Sequence, residues 1–557
     1  MQRKDYKSYF KNVILPVFVY GAFTGLLVGT IVYFFKWVAE LLTEKSVEIY
    51  HYAQAHLWLI PVILVGAVAL AFVMYFLQRW APETAGGGIP RAEGVLRGLL
   101  TFRWLRTAIA VIINSWISFF AGLPLGSEGP SVLLGTSIGG GTCKLPLSHN
   151  SWDRYIMTGG ACAGFAVATA APVTGILFAL EEAHKRFTPM IFLMAMSSVL
   201  FGVTASNLWT LAIGHEPEPL FVAISHADKF NLAEVMGTFS MSDIWVPIVL
   251  GVVIALIACG YNLFVFIIGK TYDTKLKKVP QWARLVIVFV LTAVIGLLAF
   301  GNFNGTDALG GGGGLISKLA GNRLAEANFS WKIIFVLLII RFLTIAFSTG
   351  SGATGGVFIP MLSIGALLGA LFGELFIAMG MSEKLYSTVV MLSMCAFMGA
   401  CTRAPLTALV FMVESTWSFS NLFYVAITVF ISYFLCEIVN VEPLYDVLLE
   451  RMIHKQNHGK THQILRMEFV VQEGSFAIGK AVRDILWPSN TKVSEIVAAD
   501  NVKRMDDDGE KKLHVGDTLT VITQTFDEVA TRSELEEILG KQQVNNDNSA
   551  QKSTAED

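Results

Sequence analysis

Charge is scarce in this chain. Asp, Glu, Lys and Arg make up 15% of its 557 residues, 54% are hydrophobic, and the mean hydropathy is +0.57. A soluble globular protein is excluded at that ratio, because too little polar surface remains to cover the apolar mass. An excess of either sign is also missing: the formal net charge is −2 at pH 7, which argues against nucleic acid as the main partner. The six cysteines, Cys143, Cys162, Cys259, Cys395, Cys401 and Cys436, stand singly in or near apolar segments. With no CxxC and no metal-ligand spacing, they read as small packing residues, and no metal or cofactor is expected. No nucleophile–base pair is visible either, so the chain is not expected to be an enzyme.

Apolar runs are abundant. They recur from about residue 13 to residue 440, most of them long enough to cross a bilayer, and they make this a polytopic, all-α membrane protein. Some runs are too short to span. Pro130 to Gly141 covers only a dozen residues, and Gly356 to Gly380 reads as divided by glycine. Fifty glycines, many at helix starts, suggest helices that begin or end inside the membrane, where protein or a cavity must cover the freed backbone groups. Met1–Lys7 is basic and precedes the first apolar run, with no small-residue cleavage site after a short apolar core. An uncleaved first span with a cytoplasmic N-terminus is the expectation.

The chain repeats itself. Gly126-Ser127-Glu128-Gly129-Pro130 and Gly356-Val357-Phe358-Ile359-Pro360 share one pattern, and Gly126/Gly356, Pro130/Pro360, Gly135/Gly365 and Gly139/Gly369 are each 230 positions apart. Ala171-Pro172-Val173-Thr174 through Glu181 recurs as Ala404-Pro405-Leu406-Thr407 through Glu414, at an offset of 233. Such duplication points to a transporter with its substrate site where the two halves meet. The organisation read from it is a cytoplasmic N-terminus (1–12), a first repeat (13–230), a second repeat (243–455) with a polar connection between them, a polar linker (456–464), a small cytoplasmic α/β domain (465–540) and a disordered tail (541–557). In the α/β domain, strands are expected at 467–471, 493–498 and 518–523, and helices at 477–486, ended by Pro488, and 527–539.

A helix N-terminus presents unpaired N–H groups and the positive end of its dipole, which makes it an anion site. Glycine before such a turn lets the backbone approach the ion, and proline suits the first helical turn. Gly126–Pro130, Gly356–Pro360 and Gly86-Gly87-Gly88-Ile89-Pro90 all have this form. Three such loops could hold one anion without a full positive charge. Glu128 places an ionisable carboxylate at one of them, within an apolar segment, where such groups are functional by default. Glu181-Glu182 close the run that begins at Pro172, and His184-Lys185-Arg186 after them suggests a cytoplasmic end. Gly310–Gly314 followed by Lys318 lacks the Gly-Lys-Ser/Thr of a phosphate loop and reads as structural.

These motifs resemble the CLC family of chloride channels and chloride/proton antiporters over about residues 13–452. The match rests on Gly86–Pro90 (the family's G-S-G-I-P), Gly126–Pro130 (its G-K/R-E-G-P), Gly356–Pro360 (its G-x-F-x-P) and Tyr445 in Glu442-Pro443-Leu444-Tyr445. The resemblance implies a fold of two inverted-topology repeats with broken helices. It further implies a homodimer of subunits that each carry an anion pathway, in the plasma membrane with both termini in the cytoplasm. Glu128 then corresponds to the gating glutamate, and Glu182 to the internal glutamate that passes protons toward it. The Tyr445 hydroxyl and the backbone at Gly87, Gly356, Phe358 and Ile359 would bind chloride. An antiporter is the leading expectation; an uncoupled voltage- or ligand-gated chloride channel is the alternative within transport, and a membrane-anchored nucleotide sensor with little transport the alternative outside it. Two residues depart from the pattern: Gly87 stands where serine is usual, removing a hydroxyl donor, and Ser127 replaces the usual Lys or Arg, removing a cation. Because Pro130 and Tyr445 are kept, fluoride export is not expected. Residues 467–540 resemble the TrkA-C (RCK_C) domain, through Gly474–Lys480, Trp487-Pro488 and Leu513–Leu519. That resemblance implies a dimerising domain of a kind whose members in several cases bind cyclic di-AMP: either it senses such a nucleotide and biases transport through the linker, or it serves only dimer assembly. Arg483, Lys492 and Arg504 are its nearby cations.

Overall fold

The computed structural model describes residues 10–144, 150–215, 236–324, 329–457, 463–498, 503–504 and 509–542. The first half of the membrane part contains α1 (Leu15–Ala55), α2 (Ile60–Trp80), α3 (Gly88–Leu96), α4 (Trp104–Phe120), α5 (Glu128–Thr142), α6 (Asp153–Thr169), α7 (Pro172–Phe178) and α8 (Pro189–Ala212). The second contains α9 (Trp245–Asp273), α10 (Gln281–Leu297), α11 (Gly313–Gly321), α12 (Trp331–Ser351), α13 (Phe358–Ala378), α14 (Tyr386–Thr402), α15 (Pro405–Thr416), α16 (Leu422–Val439) and α17 (Leu444–Gln456). A two-residue hairpin, β1 (Ala299–Phe300) and β2 (Phe303–Asn304), follows α10. Among the described residues, eight helices are long and apolar enough to cross a membrane. The expected N-terminus (1–12) and the connection after residue 215 fall largely outside the described residues.

The repeated glycines have one job in both halves. A Cβ on Gly135 would meet Gly160 O at 2.1 Å and one on Gly139 would meet Met157 Cα at 2.8 Å, so α5 lies backbone to backbone against α6. Gly365 and Gly369 do the same for α13 against α14, with clearances of 2.6 Å to Met394 Cα and 2.6 Å to Val390 Cα. This corrects the reading of Gly356–Gly380 as interrupted. α13 runs unbroken for 21 residues, because its glycines face a partner helix rather than ending their own. The short counterpart is α5, with 15 residues.

The halves also cap each other. Glu181 accepts from Leu406 N (3.0 Å), Thr407 N (2.6 Å) and Thr407 Oγ1 (2.7 Å) at the start of α15. Glu414 returns the arrangement at the start of α7, accepting from Val173 N (2.7 Å), Thr174 N (2.8 Å) and Thr174 Oγ1 (2.6 Å). Each carboxylate thus satisfies orphan donors of a helix in the other half. The glycine-rich loop before α11 is held from within. Arg341 of α12 is fully buried and donates to the carbonyls of Ala308 (3.2 Å), Gly310 (3.1 Å) and Gly311 (2.7 Å) and to Ser363 Oγ (2.7 Å). Gly312 has φ +95°, and a Cβ there would sit 2.4 Å from Arg341 Nη2. All six cysteines are buried and unbridged.

Beyond α17 a four-stranded antiparallel sheet has the order β3 (Gln463–Val470), β6 (Thr518–Thr525), β4 (Thr491–Val497), β5 (Lys503–Arg504), and α18 (Glu528–Leu539) packs on it. Met467, Phe469, Leu519, Val521, Leu535 and Leu539 form its buried face. The helix expected at 477–486 is not formed. Gly479 has φ +73°, and the segment bonds sideways instead, through Gly479 N to Leu513 O (2.8 Å), Val482 N to Lys511 O (3.2 Å) and Arg483 N to Gly509 O (2.9 Å). Only a short 3₁₀ turn, Val482–Asp484, remains. The tail beyond Gln542 lies outside the described residues.

Candidate functional site

The three glycine–proline loops meet at one point. Gly126 and Gly356, equivalent positions of the duplication, pair as an antiparallel bridge, with Gly126 N donating to Gly356 O (2.8 Å) and Gly356 N to Gly126 O (2.7 Å). Gly88 closes the cluster from the third loop, since a Cβ on it would lie 1.9 Å from Gly129 O. Gly129 in turn sits against Gly356, where an added Cβ would be 2.8 Å from Gly356 Cα. α3, α5 and α13 therefore start together, with Ile89, Pro90, Gly129, Pro130, Phe358, Ile359 and Pro360 all buried. No side chain caps any of these three starts, so their N–H groups are left for something else.

Glu128 opens α5 and is only 3% exposed. Ser127 Oγ donates to its Oε1 at 3.3 Å, while Oε2 has no hydrogen-bond partner. The backbone N–H groups of Glu128 and Ile359 face this carboxylate. Oε2 occupies space beside Gly126, where a Cβ would come within 2.3 Å of it. Lys36 of α1 is the cation whose field reaches Glu128. The sequence signal for Lys36 was a lone lysine in the apolar run Tyr33-Phe34-Phe35-Lys36-Trp37. Lys36 is itself paired with Glu40 at 3.7 Å.

Tyr445, in the first turn of α17, is 3% exposed and its hydroxyl has no partner. The carboxyl groups of Glu182, Glu93 and Glu128 all lie within electrostatic range of it. Glu182 lies in a π-helical turn, Ala179–Ala183, a local widening frequent at functional sites. It is 3% exposed with both carboxylate oxygens unpartnered, whereas its neighbour Glu181 is fully engaged with α15. Arg97 fixes the turn, donating to Glu182 O (2.8 Å) and Ala183 O (2.9 Å), and it pairs with the buried Glu93 at 3.3 Å. Sequence reading passed over Glu93. Its only signal was a carboxylate on α3 four residues before Arg97.

Buried polar atoms without partners are rare in proteins and mark a ligand, a water or a proton path. Here Glu128 Oε2, Tyr445 Oη and both Glu182 oxygens are such atoms. The cluster offers backbone donors, a phenol and carboxylates, a set suited to a dehydrated anion and to protons.

Residues 66–437 match the family described as voltage gated chloride channel. The chain belongs to that family. It is 30% identical over 450 residues to the H(+)/Cl(−) exchange transporter ClcA of Klebsiella pneumoniae (strain 342), covering 79% of this chain and 90% of that one. It is 29% identical over 456 residues to the protein of the same name from Yersinia pseudotuberculosis serotype IB (strain PB1/+), covering 80% and 89%. Among solved structures, a slow cyanobacterial Cl−/H+ antiporter superposes with a TM-score of 0.68 at 23% identity, covering 79% of this chain and 99% of that chain. A CLC-type fluoride/proton antiporter gives 0.60 at 19% identity, covering 78% and 98%. The fold is that of the voltage gated chloride channel family: mostly helical, with two inverted repeats and a small additional sheet after α17.

In this family member the sheet domain touches the membrane part directly, which the sequence did not indicate. Tyr155 Oη donates to Asp484 O (2.7 Å) and accepts from Leu486 N (2.9 Å), and Arg154 donates to Trp487 O (2.9 Å). Arg154 also pairs with Glu534, and Trp152 meets Phe476 edge to face at 5.4 Å. The domain thus grips the start of α6, the helix whose Thr158 Oγ1 contacts His184 Nε2 at 2.8 Å, two residues from Glu182.

Proposed function

We propose that this protein exchanges chloride for protons across the plasma membrane of a bacterium, as a homodimer with both termini in the cytoplasm. The observation that carries the reading is the buried, half-unpaired Glu128 carboxylate among uncapped helix N-termini. Chloride rests on backbone N–H groups near Gly87, Phe358 and Ile359, and the Tyr445 hydroxyl donates to it; the N–H of Gly356, expected to join them, is taken by Gly126 O (2.7 Å). The ionised Glu128 carboxylate competes for the same donors. Protonation neutralises it and yields the donors to chloride, so that anion and proton occupancy are coupled. Glu182 passes protons to this site from the cytoplasm; its free carboxylate oxygens suit it to that task, while Glu181 is occupied in capping. The names of the curated relatives support the same exchange.

The sheet domain has a regulatory role in this reading, with cyclic di-AMP as the ligand implied by its TrkA-C resemblance, and its contacts on α6 offer a more direct route than the linker. In sealed liposomes under an outward chloride gradient, the protein is expected to drive protons uphill. Chloride flux without proton movement would make it an uncoupled channel, and absence of both would leave the sheet domain as the functional part.

Gly87 gives a second expectation. A Cβ at this position would stand 3.4 Å from Pro90 Cδ, an ordinary contact, and the backbone (φ −71°, ψ 135°) suits any residue. Gly87→Ser therefore adds a hydroxyl donor without strain. It should tighten chloride binding about 3- to 10-fold, in line with about 0.5–1.5 kcal/mol for one hydrogen bond, as read by calorimetric chloride titration. Unchanged affinity would remove Gly87 from the ion site.

A further inference from the structure

A cavity of about 660 Å³ opens beside the Gly86–Gly87 loop, between α3, α17 and the turn joining α9 to α10. Five of its lining residues are cationic, namely Arg91, Lys277, Arg284, Arg451 and Lys455, and its one acidic lining residue is Glu83. Glu83 is engaged by Arg106, and Asp273, just outside the lining, pairs with Arg451 (2.7 Å) and Lys455 (3.5 Å). Glu83 also lies within electrostatic range of Arg91, so two carboxylates stand against the five lining cations and Arg106, and positive charge remains in excess. Arg284 spends two of its N–H groups on the carbonyls of Val279 (2.9 Å) and Leu276 (2.6 Å), so it is held in place rather than loose.

Arg91 is the decisive residue. It is 8% exposed, its Nε has no hydrogen-bond partner, and its one hydrogen bond, from Nη1 to Gln456 Oε1, is long at 3.4 Å. Burying a guanidinium with unspent donors is costly unless an anion completes it. A single chloride cannot touch cations spread around a cavity of this size. An anion with several charged oxygens can, and arginine's planar fork suits phosphate oxygens. The volume also lies in the range of small-molecule sites.

We propose that this cavity binds an oligophosphate group, supplied by inorganic pyrophosphate or by a nucleoside polyphosphate, and that its occupation obstructs the Gly86–Gly87 end of the anion path. The obstruction rests on the exchange reading above, whereas the binding does not.

The test uses the full chain in lipid nanodiscs, titrated calorimetrically with pyrophosphate, ATP and orthophosphate at fixed chloride. Chloride flux from liposomes is measured alongside, with pyrophosphate on either side. Pyrophosphate is expected to bind and orthophosphate to bind at least tenfold more weakly. Arg91→Gln and, separately, the exposed Lys277→Gln should each weaken pyrophosphate about tenfold. Lys277 lies at the cavity rim, so its variant keeps the test open if Arg91→Gln does not fold. ATP binding that is lost in the same variants assigns the nucleotide as a source, and ATP exclusion with pyrophosphate bound assigns the inorganic anion; both support the site. No pyrophosphate binding at millimolar concentration, or equal binding by wild type and variants, overturns it. Pyrophosphate binding by a protein that moves no chloride would sink the transport reading and leave the site standing.

Discussion

Glu128→Gln is expected to stop proton movement in sealed liposomes while chloride continues to flow, and to make that flow insensitive to pH. The amide keeps the size of the side chain but cannot ionise, so it neither competes for the N–H donors as an anion nor carries a proton. Under the proposed exchange, acidification is expected to protonate the carboxylate in the wild type and free the site, so that chloride flux rises as pH falls. In Glu128→Gln the profile is flat, and proton transport drops to the leak of empty vesicles. Glu182→Gln separates the two roles. Protons stop here as well, because the internal step is cut, but chloride flux keeps its pH dependence because Glu128 still titrates. Proton pumping that survives in Glu182→Gln would return that residue to an ordinary interfacial charge. A Glu128→Gln variant that still pumps would end the proposed coupling altogether.

Arg341→Gln is expected to lower stability by about 3 kcal/mol or more, the range for leaving buried partners uncompensated. The guanidinium gathers the carbonyls of Ala308, Gly310 and Gly311 and the Ser363 hydroxyl into one buried fork. A glutamine reaches few of them, and the site is fully buried. Arg341→Lys should rescue little, since three donors on a point charge cannot match the planar spread. Thermal unfolding in detergent, followed by intrinsic fluorescence or by loss of the monodisperse gel-filtration peak, reads the effect. A Gln variant that melts with the wild type would show that the loop before α11 holds itself.

The loops at the site were legible because their signals are local. A glycine ahead of a helix and a proline in its first turn specify a helix start whatever surrounds it, and the offset of 230 paired two of the three starts. What depended on tertiary partners was not legible. Glu181 and Glu182 are adjacent in sequence and chemically identical; only the arrival of α15 at Glu181 leaves Glu182 free. Arg341 stands 30 residues from Gly311, and nothing in its own segment announces the carbonyls it collects. The region 477–486 misled for the opposite reason. Its composition permits a helix, but residues 509–513 claim its N–H groups and Gly479 turns the chain into the left-handed region. The run 356–380 reads as divided by glycine although Gly365 and Gly369 within it are points of contact, because in an apolar helix the residue that would end it in water also lets another helix approach.

The Gly126–Gly356 bridge and the exchange of Glu181 and Glu414 share a property that bears on ancestry. In each, one half gives the other what it receives in return, as at the isologous interface of a two-fold dimer. A chain half this length, meeting an inverted copy of itself, would have made both contacts with a single glycine and a single glutamate. In one chain each position is free of serving both roles. The freedom shows at the third residue of the loop, where one copy holds Glu128 and the other Phe358. The symmetric contacts are what two such copies would make, and the asymmetric pair is what a single fused chain permits.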